Sequence, residues 1–219
     1  MKYILIIIFS MSLLHGQSFS IARVHYDGGG DWYSNASSLP NLLRYLEKNT
    51  TMSVHHKESK IKLTTENLNQ NPYLYLNGHG NIKFNDDEII ALRSALMNGS
   101  FLHADDNYGM DKSFRREMKR VFPNKNFVNL PNNHRVFDSY YNFPNGLPKI
   151  HEHDNKKPKA LALYHEDKII SLYTIESDLG DGWESNLEHE RVTGKKLHPT
   201  KRLEALKMGT NILIFALSQ

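Results

Sequence analysis

His151-Glu152-His153-Asp154 is the segment of this chain whose residue types come closest to a ligand set. In extended backbone His151 and His153 project to one side about 7 Å apart, and they close on a single ion if the loop bends. His-x-His also arises by chance in a chain holding 12 histidines. A pH-sensitive hydrogen-bond network and an exposed polar loop are the competing readings. A second group, His103-Ala104-Asp105-Asp106-Asn107-Tyr108-Gly109, follows an apolar run. On a strand His103 and Asp105 share one face, and an imidazole beside two carboxylates offers metal ligation or general acid and base work. The plainer reading is that Asp105 and Asp106 bond the backbone of the next turn. His79, between Gly78 and Gly80, stands on a turn from which its ring can reach a ligand.

Two further segments have the makings of a binding surface. Gly28-Gly29-Gly30-Asp31-Trp32 would let backbone N–H groups approach an anion, but it lacks the spacing of a dinucleotide or P-loop fingerprint, and a tight turn is the simpler account. Glu176-Ser177-Asp178-Leu179-Gly180-Asp181-Gly182-Trp183 combines carboxylates, glycines and an aromatic without the spacing of an EF-hand. Trp32 and Trp183 each offer a flat face to a sugar ring or a base, although a loop Trp more often covers a core. Arg115, Arg116, Lys119 and Arg120 read as the solvated face of a helix.

The elements that must position these groups follow from hydrophobic periodicity. Ile21 to Tyr26 reads as a strand stopped by the triple glycine, before a helix that starts near Pro40 and buries Leu42, Leu43 and Leu46. Met52 to His55 is a weak second strand, and Tyr73 to Leu76 a strong one. Asn85 and Glu88 form a capping box for a helix carrying Ile89, Leu92 and Leu96, which Asn98-Gly99 ends. Phe101 to Ala104 is the next strand, and Asp111 caps a helix with Phe114, Met118 and Val121 on one face, closed by Pro123. This alternation predicts an α/β fold, a mainly parallel open sheet with helices on both faces. Leu161 to Tyr164 and Lys168 to Ile175, around Glu166-Asp167, read as an antiparallel hairpin extending that sheet at one edge. Residues 180–199 read as irregular, and Thr200 as the cap of a last helix containing Leu203, Leu206, Ile212 and Phe215. In such a sheet the loops at the carboxyl ends of the strands converge on one crevice, where the polar clusters fall.

Composition narrows the chemistry. With no cysteine, every nucleophile or metal ligand is an oxygen or an imidazole, and no disulfide supports the fold. The 27 Lys and Arg are interspersed with 24 Asp and Glu, so nothing calls for nucleic acid as a partner. Lys2, the apolar run from Tyr3 to Leu14 and the small or polar stretch His15-Gly16-Gln17-Ser18 have the three-part layout of a secretory signal. That run is shorter than the roughly 20 residues a membrane-spanning helix needs, so a cleaved signal over residues 1–18 is expected, with no retained transmembrane helix. Residues 19–219 are then one domain, exported to the periplasm or the exterior.

Taken together, Gly28-Gly29-Gly30-Asp31-Trp32-Tyr33, Gly78-His79-Gly80, the run from Phe101 to Met118, Leu147-Pro148-Lys149-Ile150-His151-Glu152-His153 and the run from Glu176 to Trp183 resemble the DUF4159 family of bacterial proteins, over essentially the whole mature chain. The resemblance implies a fold of the glutamine-amidotransferase-like group, which includes the trehalose-utilisation (ThuA-like) proteins. It also implies longer, membrane-anchored relatives that end in the same module. True glutamine amidotransferases use a cysteine nucleophile, which this chain lacks, so glutamine hydrolysis by that mechanism is excluded.

The residues support two expectations. In the first, His103, His151 and His153 hold a divalent metal ion, Asp105 or Asp106 acts as base beside His79, and a small molecule or glycan is hydrolysed. Its ligand would be bound by Gly28, Gly29, Gly30, Asp31, Trp32, Asn107, Tyr108, Glu176, Asp178 and Trp183. In the second, the same residues form a satisfied polar network in a module that binds or scaffolds another cell-envelope protein.

Overall fold

The computed structural model describes residues 18–219. All but the last residue of the expected signal segment lies outside the described residues. Among the described residues, seven strands form one sheet in the order β2-β1-β3-β4-β7-β6-β5. They are β1 (Ala22–Val24), β2 (Ser59–Ile61), β3 (Tyr73–Gly78), β4 (Phe101–Asp106), β5 (Val128–Asn129), β6 (Lys159–His165) and β7 (Lys168–Ile175). The five strands β2, β1, β3, β4 and β7 are parallel, whereas β6 pairs antiparallel with both β7 and β5. The hairpin therefore extends a parallel sheet as expected. The order 2-1-3-4 at the start is that of flavodoxin-type doubly wound sheets.

Alternate strand residues feed two cores, as a period of two requires. Ile21, Tyr73, Tyr75 and Phe101 pack with α1 (Ser38–Asn49), α5 (Leu179–Trp183) and α7 (Pro199–Leu217) on one face. Ala22, Val24, Leu74, Leu76 and Leu102 pack with α2 (Thr65–Gln70), α3 (Asp86–Met97) and α4 (Asp111–Val121) on the other. The Asn85–Glu88 capping box is present in both directions at the start of α3. Among the described residues no helix is long and apolar enough to cross a membrane.

Four local readings are corrected. The second strand is Ser59–Ile61, and Met52 to His55 contributes one bridge, between Val54 and Phe19. Residues 180–199 are not irregular: Gly180 to Trp183 complete α5, and α6 (Asn186–Thr193) follows, capped by the Ser185 side chain. Short polar helices such as α6 lack the apolar stripe that periodicity detects. Thr200 lies inside α7, whose cap is His198 with Pro199 as first residue. Met110, not Asp111, is the cap residue of α4.

Arg23 on β1 ties this framework to the loops above it. Its side chain is fully buried, and it lies 5.5 Å from the centre of the Tyr75 ring. Nε donates to Glu58 at 2.9 Å, Nη1 to Asn77 Oδ1 at 2.5 Å and to the Ser34 carbonyl at 2.9 Å. Nη2 reaches the Asn35 carbonyl and Ser38 Oγ, both at 3.2 Å. Removing one partner of a buried ion pair strands the other, so Arg23→Ala is expected to cost about 3–5 kcal/mol. Arg23→Met combined with Glu58→Leu should cost less. Denaturant unfolding of the two variants measures the difference.

Candidate functional site

Helix α1 leaves β1 toward one face and α3 leaves β3 toward the other, so a crevice opens between the carboxyl ends of those strands. There lies a cleft of about 530 Å³ lined by Asp31, Asn35, His79, Asn107, His151, His153, Asp181, Glu184, Glu188 and Arg191, among others. The loops after β1, β3, β4 and β7 all contribute, and residues 151–153 join them from the long connection before β6.

At one end of the cleft, His151, His153 and Asp178 each bring one ligand atom within 4.8 Å of the other two. The two imidazoles lie 4.6 Å apart, and His153 Nε2 is 2.7 Å from Asp178 Oδ2. Asp178 is almost fully buried, and its Oδ1 has no hydrogen-bond partner among the described residues. Burial, reinforced by the charges of Asp181 and Asp105, pushes its carboxyl up to about 9. Burial and the neighbouring His151 hold His153 below the usual imidazole range. The metal-free pair is therefore uncharged near neutral pH. A cation would displace the proton it holds, as metal binding to protonated ligands does.

Asp181 stands behind His151, its Oδ2 3.1 Å from Nδ1. Burial would raise this carboxyl, but the hydrogen bonds from His151 and Asn35 outweigh burial and hold it below the usual carboxylate range. A carboxylate bonded to one ring nitrogen orients the imidazole and leaves the other nitrogen available, the common arrangement behind metal-ligating histidines. Glu184 lines the same cleft, bonded to Asn35 Nδ2 at 2.9 Å and 3.3 Å from His189 Nδ1. Burial, then repulsion by Asp181, raises it to about 7, where a carboxyl exchanges protons at neutral pH.

The expected site residues divide. Asn107 is in the cleft, its amide donating to Asn35 and Asp181. Asp31 and His79 form a pair on the rim, with Nδ1 of His79 3.0 Å from Asp31 Oδ2. Tyr108 stacks on His153 with ring centres 4.5 Å apart. Glu176 turns toward Lys149 and Lys156, beside a neighbouring cleft.

Other expectations are overturned. His103 does not join His151 and His153. It is buried beneath the cleft against Tyr75 and Trp183, with Nε2 3.1 Å from Thr174 Oγ1. Asp105 is sealed by Thr174 Oγ1, the Gly180 amide and the Tyr75 hydroxyl, and Asp106 by the Tyr108 and Met110 amides and the Tyr173 hydroxyl. Both act as turn and loop anchors, and neither lines the cleft. Trp183 is a core residue whose Nε1–H donates to the Ala205 carbonyl; Trp32, by contrast, is only half-buried, with His25 stacked on it. The glycine loop is pinned to residues 79–83, with Gly30 N donating to Asn81 O and Lys83 N to Asp27 O, and it opens no helix. Gly28, Gly29 and Gly30 thus form a tight turn; Gly28 has φ +113° and Lys83 N would lie 2.8 Å from a Cβ there.

Residue spacing does not single out Asn35, Asp181 or Glu184. Asp181 is one of three carboxylates in the segment Glu176 to Trp183 with nothing to set it apart, and no motif marks Asn35 or Glu184. Among the described residues, three of the six non-glycine residues with positive φ, Asn35, Tyr108 and Asp178, border this region. Such backbone costs energy and collects where geometry is constrained by function.

Residues 20–217 match the family model described as a domain of unknown function, DUF4159. No curated protein matches the chain.

Burial lowers His103 from 6.5 to about 3, so the folded protein keeps it neutral while the unfolded chain protonates it. The unfolded state then binds the extra proton, and stability falls as pH drops below 6.5. Asp105, raised from 3.8 to about 6, acts in the opposite sense, because the folded state takes up its proton first. Comparing wild type with His103→Gln isolates the histidine. Their stability difference should move by about 1.4 kcal/mol per pH unit between about pH 6 and 4, to the disadvantage of wild type. Urea melts across that range measure it.

Proposed function

The chain belongs to the DUF4159 family, to which no activity is assigned, and from that premise we propose a function on the chemistry of the cleft: a metal-assisted, hydrolase-like site for a small molecule or glycan, exported to the cell envelope. The observation that carries this reading is the convergence of His151, His153 and the under-bonded, buried Asp178 within 4.8 Å. Two imidazoles and one carboxylate are a common protein ligand set for a catalytic divalent ion, with a position left for water. A bound divalent ion would act as a Lewis acid and lower the pKa of that water.

The protein's own groups supply the rest. Asp181 orients His151, and Tyr108 backs the ring of His153. Glu184, raised toward neutrality in the same cleft, is the carboxyl that would take the proton of an attacking water and return it to the leaving group, in place of Asp105 or Asp106. Asp31 and His79 on the rim offer hydrogen bonds to a polyhydroxylated or polar substrate. Export rests on the layout of the N-terminal segment.

A second reading, a module that binds another cell-envelope protein, draws on Tyr33, Leu187 and Val192, which are 63%, 80% and 68% exposed. Tyr33 and Val192 also line the cleft. A single stoichiometric partner bound by metal-free protein and lost with Leu187→Asp and Val192→Asp would favour it.

Elemental analysis of untagged protein purified without chelators tests the first reading. About one equivalent of a transition metal is expected, lost in the His151→Ala, His153→Ala double variant; no metal in either protein would sink it. Asp178→Asn should also lose the metal. It keeps a residue type that tolerates positive φ and removes a carboxyl that burial disfavours. The thermal midpoint of its chelator-treated form should therefore equal or exceed that of wild type.

A further inference from the structure

We infer that Asn35 is the positioning residue of this cleft, a yoke whose single amide holds the carboxylate behind His151 and the proton acceptor Glu184 in one fixed relation; the inference rests on the metal-assisted reading above. Its Nδ2 donates to Asp181 Oδ1 at 2.8 Å and to Glu184 Oε1 at 2.9 Å. Its Oδ1 accepts from Asn107 Nδ2 at 2.7 Å and from Asn77 Nδ2 at 3.1 Å. Both amide protons and both carbonyl lone pairs are thus engaged, each with a different residue. A planar group satisfied on all four sides has one orientation open to it. The two carboxylates it joins therefore cannot move independently.

The backbone makes the same point from below. Asn35 has φ +54°, a left-handed conformation that Asn adopts more readily than other non-glycine residues. Its carbonyl accepts from Arg23 Nη2 at 3.2 Å and from the Ser38 amide at 3.0 Å, where α1 begins. The strained residue is clamped by the buried guanidinium on one side and by the helix start on the other. Aspartate has the length but no donors for Asp181 and Glu184, and glutamine is a methylene too long for the same four partners. From Asp181 the constraint passes to His151 Nδ1 at 3.1 Å, so an amide that touches no ion sets the aim of a ligand. Direct partners of a ligating histidine, here Asp181, typically contribute about 10- to 100-fold to metal affinity, and a residue one bond further out the lower end of that range.

Asn35→Gly and Asn35→Ala separate this role from a contribution to folding. Both delete the amide, but glycine relaxes at positive φ and alanine does not, so the alanine protein should melt at the lower temperature. Zinc affinity is read by competition with a chromophoric chelator, and the thermal midpoint on metal-free protein. The expected result is a loss of about tenfold in zinc affinity, of the same size in both variants despite their different midpoints. Zinc binding by the glycine variant at the wild-type level, or affinities that follow the midpoints, would overturn the assignment and leave Asn35 a folding residue. Failure of wild type to bind zinc or any other divalent transition metal would remove the metal-assisted reading and the yoke together. Wild-type binding with an unchanged glycine variant would remove the yoke alone.

Discussion

The burial of one guanidinium organises this molecule. Arg23 lies on a three-residue strand inside the sheet, and a cation there is tolerable only if every donor has an acceptor. Glu58 supplies the countercharge, while Asn77 and the carbonyls of Ser34 and Asn35 supply neutral acceptors. Satisfying Arg23 therefore requires the loop after β1 to fold back over the carboxyl ends of β1 and β3. That loop carries Asn35 and forms one wall of the cleft. The electrostatic demand of the core and the shape of the site are the same fact seen from two sides.

Above that floor, the dominant problem is negative charge. Asp105, Asp106, Asp178, Asp181 and Glu184 crowd the ends of β4 and β7, and burial disfavours ionising all of them. The protein resolves this by treating them unequally. Asp181 collects donors from His151, Asn35 and Asn107 and stays ionised. Asp178, with one oxygen unbonded, holds its proton, and Glu184 sits near neutrality. Groups pushed to different proton affinities within one cleft are what acid and base chemistry requires. Between His151, His153 and Asp178 a divalent cation would offset the carboxylate charge and satisfy the orphaned oxygen at once.

The contrast between Asp178 and Asp105 shows why residue type alone misassigns roles. Both are buried acids near a histidine. Asp105 is met by a hydroxyl, an amide and a phenol from three elements, so it braces β4 against β7, α5 and β3. Asp178 has only His153 at its side chain, and its other oxygen is left without a partner among the described residues. The number of donors that converge on each carboxyl separates an anchor from a candidate ligand.

The sequence by itself determined the elements whose stability is local. The Asn85–Glu88 box, the apolar stripes of α3 and α4 and the hairpin around Glu166-Asp167 depend on residues within a few positions of one another. Their alternation implied a parallel sheet, and the parallel sheet implied a crevice at its carboxyl end. His151 and His153 were legible as a ligand pair for the same reason, since their relation is set by two residues of backbone. What only the tertiary structure decided were relations across long separations. It put Asp178 beside His153 and removed His103 into the core, and it brought Asn35 to Asp181 across 146 positions. The side of a strand on which a polar residue ends depends on register and on what packs above it. Both are set by the assembled layers, and no local pattern records them.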